Sequence, residues 1–219
     1  MVIADLDGEI DGILDGGNCS VGIESTVISI AEEKIQILRH GGVTIESLLH
    51  AGFDVIDLSK ISSLSETKDS ADALSPGRLE HHYAPKTPLL YISLPNPIKF
   101  SNIAEKPDSF RKNIQNILKV QAIQNISFLV FGNNDAWIEN DLIKNLSSTG
   151  NFREAAKTLF QLFDDLDTNK HDLIVAFSLP ENGLGVAIND RLRKAAAYTA
   201  QFNGKKLEKF QIKPPLEKK

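Results

Sequence analysis

Cysteine is almost missing from these 219 residues, which hold one, Cys19. A single thiol excludes an internal disulfide framework and a cysteine-cluster metal site, and it makes a reducing cytoplasm the expected compartment. Long apolar runs are missing as well, so no membrane span is expected. Basic residues are absent from the opening stretch MVIADLDGEIDGILDGG, which carries four aspartates and one glutamate. That is the wrong charge and pattern for a secretory or mitochondrial signal. No long basic run occurs either, and the net charge is −5 with a pI of about 5.6. Tight binding to a nucleic-acid backbone, which needs many lysine and arginine contacts, is therefore not expected. The lysines of the tail (Lys205, Lys206, Lys209, Lys213, Lys218 and Lys219) stand beside Glu208 and Glu217 and read as a solvated end.

The common signatures of covalent and metal catalysis are also lacking. There is no GxSxG elbow, no HExxH and no Gly-x4-Gly-Lys-Ser/Thr loop. His81 and His82 are adjacent, and neighbours on an extended strand point to opposite faces, so they are poorly set to share one ion.

What is present divides the chain into three. Residues 1–58 are dense in strand signals. IDGILDGG is a short apolar run closed by two glycines, STVISI alternates and is β-branched, and KIQILRHGG alternates with Ile35, Ile37 and Arg39 on one face. Thr44 then opens a short helix, IESLLHAG, with Gly52 as its C-terminal cap. The expected order is strand, strand, strand, helix, too small to bury much core alone. Residues 59–85 hold six serines and two prolines without periodicity, as a linker does, until SPGRLEHHYAP crowds in an arginine, two histidines and a tyrosine.

Residues 86–219 alternate strand and helix. PLLYISL, ISFLVFG and DLIVAFSL read as strands; FRKNIQNILKVQ, NFREAAKTLFQLFDDL and GVAINDRLRKAAAYT read as helices. Asn151 and Glu154 stand three apart, the spacing of a capping box. The fold class is thus α/β, with a parallel, doubly wound, Rossmann-like sheet in the C-terminal part.

Three places could carry chemistry. Gly183-Leu184-Gly185 resembles half of a dinucleotide fingerprint, but it lacks the third glycine and comes late in the domain, so a tight packing turn is favoured. Asp190, Arg191 and Arg193 read as a polar helix face with local charge pairs. Ser25 and Thr26 begin one strand and Arg39 ends the next, so a hairpin would bring hydroxyl and guanidinium together. Such a pair suits a ligand with polar and phosphate groups. It is equally compatible with strand-forming hydroxyls and an exposed arginine, and the residues leave both readings open.

At these residues a resemblance becomes specific. ID-x-ILDGG-x-C-x-x-G-x-ESTV followed by ILR-x-GG resembles the end of the YrdC-type domain of the threonylcarbamoyl-AMP synthase family. SPG-x-x-x-x-HYAP-x-TPL, from Ser75 to Leu89, resembles the linker of the family's two-domain members, and ENGLG-x-AINDRLRKAA resembles the end of their Rossmann-like C-terminal domain. Arg78-Leu79-Glu80 departs from the methionine and basic or aromatic residues usual there.

The resemblance implies that L-threonine, bicarbonate and ATP, with Mg2+, give threonylcarbamoyl-AMP and pyrophosphate for modification of adenosine 37 in tRNA. It implies Ser25 at threonine, Arg39 at the nucleotide phosphates and Tyr83 contacting ATP from the linker, with no catalytic nucleophile. It further implies the divisions 1–58, the rear of a catalytic domain; 59–85, a linker; and 86–219, the C-terminal domain. The family's basic phosphate-gripping and Ser-x-Asn motifs lie earlier than Met1, so the chain alone is expected to be inactive. Self-association, or pairing with the preceding half, is the expected interaction of residues 1–58. A stand-alone ligand-binding or interaction module built on the C-terminal domain is the alternative.

Overall fold

Alternation of β-branched and polar residues in VISIA and KIQILR produces two strands, β1 (Val27–Ala31) and β2 (Lys34–Arg39), paired antiparallel. This computed structural model describes residues 6–17, 19–59, 84–94, 112–116, 123, 125–133, 142–168, 171–203 and 206–213. After β2 the chain forms helix α1 (Ile45–His50), whose N-cap Thr44 accepts the Ser47 amide, and then strand β3 (Val55–Asp57), parallel to β2. The small sheet runs β1-β2-β3, with Ile35 and Ile37 buried in its centre and Ile28 and Ile30 exposed on β1.

The strand expected at IDGILDGG does not form. Residues 12–17 are irregular, and Leu14 is 99% exposed. An apolar run becomes a strand only where a neighbour completes its ladder, and among the described residues none lies beside it. The small sheet takes its third strand from Val55–Asp57 instead.

The larger sheet has six strands in the order β6-β5-β7-β4-β8-β9: β4 (Leu89–Ser93), β5 (Ile126–Val130), β6 (Leu142–Asn145), β7 (Leu173–Phe177), β8 (Tyr198–Phe202) and β9 (Leu207–Ile212). All neighbours are parallel except β8 and β9. β5 and β7 are buried along their whole length, as continuous apolar runs in a parallel sheet require. Helix α2 (Phe152–Thr168) and helix α3 (Leu184–Ala195) cover one face, packing Leu159, Phe163, Leu166, Ile188 and Leu192 against Leu89, Leu129 and Ile174. Residues 112–116 are helical and send Ile114 into the opposite face, among Phe128, Val175 and Phe202. Helices on both faces make the sheet doubly wound.

Two boundaries differ from the sequence reading. The last helix stops at Ala195, Ala196 turns extended, and Tyr198 opens strand β8. Part of the lysine-bearing tail is not a solvated end: Leu207–Ile212 forms the antiparallel edge strand β9, and Phe210 stacks on Tyr198. Lysine on an edge strand discourages further pairing, which is why this stretch looks like solvent-facing tail. No helix among the described residues is long and apolar enough to cross a membrane.

The small sheet is seated on the large domain by a segment that approaches α2 closely. Gly22 has φ +77°, and a Cβ there would lie 2.4 Å from the Cα of Lys157. Its neighbours Val21 and Ile23 pack against the core beneath α2 and α3. Only glycine allows that backbone-to-helix contact.

Candidate functional site

Antiparallel pairing of β1 with β2 sets Val27 opposite Arg39, and the guanidinium folds back over the residues just before β1. Nη2 of Arg39 donates to the carbonyl of Ser25 at 3.1 Å and to its hydroxyl at 3.3 Å; Nε donates to the same carbonyl at 3.3 Å. The two residues singled out in the sequence are thus brought together, with Ser25 exposed and Arg39 half-buried. Thr26 has a different task. Its hydroxyl donates to the carbonyl of Val43 at 2.6 Å and accepts the Val43 amide at 3.0 Å, which ties the start of β1 to the loop after β2.

That loop needs its glycines. A Cβ on Gly41 would lie 2.3 Å from the carbonyl carbon of Ser25 and 2.4 Å from the amide of Thr26, and the next amide, Gly42, donates to the Glu24 carbonyl at 3.1 Å. The result is a shallow rim of two backbones in contact, carrying a hydroxyl and a guanidinium. Hydroxyl and guanidinium groups are of the kind that hydrogen-bond anionic ligands, and nothing in the rim is set up as a nucleophile.

A second set of groups lies behind the rim. His40 is buried; its Nε2 is 3.2 Å from Asp57 Oδ2 and 2.8 Å from the Ser59 hydroxyl, which itself donates to Asp57 Oδ1. Serine, histidine and aspartate meet here, but serine and aspartate address the same ring nitrogen, so no proton relay of the nucleophilic type exists. Behind His40 stands Arg191, buried on α3. It donates from Nε to Glu24 at 2.7 Å, from Nη1 to Asp190 at 2.7 Å and from Nη2 to the His40 carbonyl at 3.0 Å. Burial pushes the Glu24 carboxyl up, but the charge and hydrogen bond of Arg191 outweigh it, and the group sits below the usual glutamate range.

Arg191 therefore corrects the reading of Asp190, Arg191 and Arg193 as an ordinary polar helix face. Asp190 and Lys194 do make a local pair at 2.9 Å, and Arg193 reaches Glu181 at 3.6 Å and lies 5.8 Å from the Tyr91 ring centroid. Arg191 instead points inward across 167 residues of sequence to Glu24. Helical position carries no such information.

The glycine pair at the start of α3 has a packing role. The Gly183 amide donates to the carboxylate of Glu46 at 2.9 Å, and a Cβ on Gly185 would meet the Pro180 carbonyl oxygen at 2.1 Å. Tyr83, His81 and His82 lie outside the described residues, although the chain just beyond them is anchored: Asp167 accepts the amides of Lys86 and Thr87 at 2.8 Å each. Among the described residues no group of three or more histidine, cysteine, aspartate or glutamate side chains could hold a metal ion.

The chain is similar to known proteins along most of its length. The sequence model described as "Telomere recombination" matches residues 1–41, and the one described as "Threonylcarbamoyl-AMP synthase, C-terminal domain" matches residues 43–197. A threonylcarbamoyl-AMP synthase of Bacillus subtilis is 34% identical over 196 residues, covering 89% of this chain and 51% of that protein. One of Pyrococcus abyssi is 30% identical over 199 residues, covering 90% and 52%. A crystal structure of P. abyssi Sua5 complexed with L-threonine superposes with a TM-score of 0.68 at 26% identity, covering 92% of this chain and 54% of that one. The chain spans about half the length of the curated relatives it matches. With a family match running through β3, the parallel strands β4 to β7 and α3, this chain belongs to the threonylcarbamoyl-AMP synthase C-terminal domain family.

Proposed function

We propose that these residues are part of an L-threonylcarbamoyladenylate synthase, which joins L-threonine, bicarbonate and ATP into threonylcarbamoyl-AMP and pyrophosphate for tRNA modification in the cytoplasm. The reading rests on one observation: the Ser25 hydroxyl and the Arg39 guanidinium share a rim in a chain whose relatives carry that name. The threonine amine captures bicarbonate as a carbamate, a carbamate oxygen attacks the α-phosphorus, and pyrophosphate leaves. Such a reaction asks a site to hold two substrates in line and to balance charge on phosphorus, rather than to supply a nucleophile. Ser25 is assigned to threonine, Arg39 to the phosphates and Tyr83 to the nucleotide. Magnesium is assigned as part of the MgATP substrate, where the phosphates supply most of its protein-independent ligands.

Because the chain matches only about half of its relatives' length, the 219 residues alone are expected to lack turnover. The test is threonine-dependent pyrophosphate release from ATP, measured on this chain and on an enzyme carrying both halves. Turnover is expected only in the longer protein. Release on the order of 1 per second from the short chain overturns the inactive-part reading. Release that ignores threonine overturns the assigned reaction and favours a separate ligand-binding module.

A further inference from the structure

Among the described residues, the contacts within the Ser25–Arg39 rim include Thr26 with Val43, Gly42 with Glu24 and Arg39 with Ser25, all local to residues 24–43. A contact from far along the chain adds to these. The Arg191 side chain is 4% exposed, and its fork spans Glu24, one residue before Ser25, and the carbonyl of His40, one residue after Arg39. A third donor, Nη1, is taken by Asp190 on the same helix, which fixes the plane of the guanidinium relative to α3. The opposite side of His40 is closed by Asp57 and Ser59.

We propose that Arg191 is a positioning residue: a single buried guanidinium on the C-terminal sheet domain sets the spacing of the two strand ends that present Ser25 and Arg39. This rests on the functional reading only for what the rim binds. The physical reason is the rigidity of the fork. Its donors lie in one plane at fixed separation, so the carboxylate before Ser25 and the carbonyl after Arg39 cannot drift apart while both are held. Burial strengthens both bonds and removes water as a substitute partner. The C-terminal domain thereby acts on the site through a side chain that is itself buried.

The test uses the full 219-residue chain and the variants Arg191→Lys, Arg191→Met and Glu24→Gln. Amide hydrogen exchange is read at residues 24–26 and 40–43, with Ile92 and Val175 as reporters of the sheet core. Arg191→Met should speed exchange in both strand ends by roughly tenfold to a hundredfold, the loss expected for a charge-assisted bond, while the core reporters stay unchanged. Arg191→Lys keeps a charge for Glu24 but cannot reach both partners at once. It should restore residues 24–26 and leave 40–43 fast. Glu24→Gln should show the reverse pattern and covers the case in which Arg191→Met fails to fold. Unchanged exchange in the strand ends overturns the proposal. So does an equal rise in strand ends and core, which makes Arg191 a stabilising ion pair and no more.

A titration with MgATP and L-threonine, following the Arg39 Nε–H and Ser25 amide resonances, separates this from the functional reading. If the exchange pattern is as expected and neither ligand shifts either resonance, in this chain or in a longer one carrying both halves, the positioning role stands and the assignment of Ser25 and Arg39 to substrates falls.

Discussion

The carboxylate of Glu46 accepts the backbone N–H of Gly183 at 2.9 Å, a bond that joins α1 of the small sheet to the first turn of α3 across 137 residues of sequence. That amide is one of the unsatisfied donors every helix leaves at its N-terminus, and a negative charge is favoured there. The Gly183 bond, ahead of the opposing effect of burial, holds the Glu46 carboxyl below its usual range.

A lowered carboxyl pKa stabilises the folded state fully above the unfolded value of 4.5 and less and less as pH falls through the folded value below it. Glu46→Gln should therefore loosen the seating of α1 at neutral pH, and the difference from wild type should shrink as the pH is taken well below 4.5. Thermal unfolding of the pair at several pH values checks this. A difference that grows on acidification would carry the wrong sign.

The turn between β1 and β2 stores strain. Ala31 pairs with Lys34, and the two residues between them, Glu32 and Glu33, both have positive φ, at 51° and 62°. A two-residue hairpin with both central residues left-handed favours Asn-Gly, and like charges side by side add repulsion. Replacing Glu32 with asparagine and Glu33 with glycine should stabilise the hairpin by about 1 kcal/mol, since left-handed backbone costs an ordinary residue roughly 1–2 kcal/mol. Urea unfolding reads the gain as a higher midpoint at constant slope.

Local pattern carried most of the fold. β5 and β7 are continuous apolar runs, α2 repeats its buried residues at helical spacing, and Gly52 follows α1 with φ +89°, as a left-handed cap does. Half of the expected capping box forms: Asn151 accepts the Glu154 amide at 3.2 Å, but the Glu154 carboxylate turns to Ser147 and Thr149, and the Ser147 hydroxyl takes the Asn151 amide. The rest depended on partners far along the chain. Whether ILDGG becomes a strand, whether LEKFQI pairs, and whether Arg191 faces inward are decided by Glu24, by β8 and by the neighbours each segment finds. In the site, the Ser25–Arg39 encounter was legible because a hairpin is a local object. The role of Arg191 was not, since a charge on a helix looks the same whichever way it points.

Ser25 and Arg39 touch each other, so their substitutions should not act independently. On the proposed assignment, Arg39→Ala in an enzyme with both halves should raise the KM for ATP more than that for threonine, and Ser25→Ala should do the reverse. A charge-assisted hydrogen bond contributes about 1.5–3 kcal/mol, or roughly a tenfold to hundredfold loss. The double variant should lose less than the product of the two single losses, because the Arg39 bond to the Ser25 hydroxyl is removed by either substitution. Steady-state kinetics with each substrate varied in turn settles it: equal effects on both substrates contradict the assignment, and strict additivity contradicts the contact.

The two sheets should differ in their ability to stand alone. Both core clusters of the large sheet are built from residues 89–207, and among the described residues of the small-sheet segment only Val21 and Ile23 pack against them. The small sheet buries Ile35, Ile37 and little else, and leaves Ile28, Ile30, Leu49 and Phe53 exposed. Apolar burial at about 25 cal/mol per Å2 is the main favourable term in folding, so the piece without a core cannot offset its chain entropy. A fragment starting near Ala84 should therefore unfold cooperatively, at a lower temperature than the whole chain because Arg191 loses Glu24 and the His40 carbonyl. Residues 1–58 alone should be unfolded or self-associated, with β1 and its exposed isoleucines as the adhesive edge. Limited proteolysis of the whole chain should cut first within the serine-rich stretch between Leu58 and Pro85 and leave the C-terminal piece. Survival of residues 1–58 in its place, or resistance of that stretch to cutting, would show that the two sheets form one cooperative unit and that the seating through Gly22, Glu46 and Arg191 outweighs the difference in their cores.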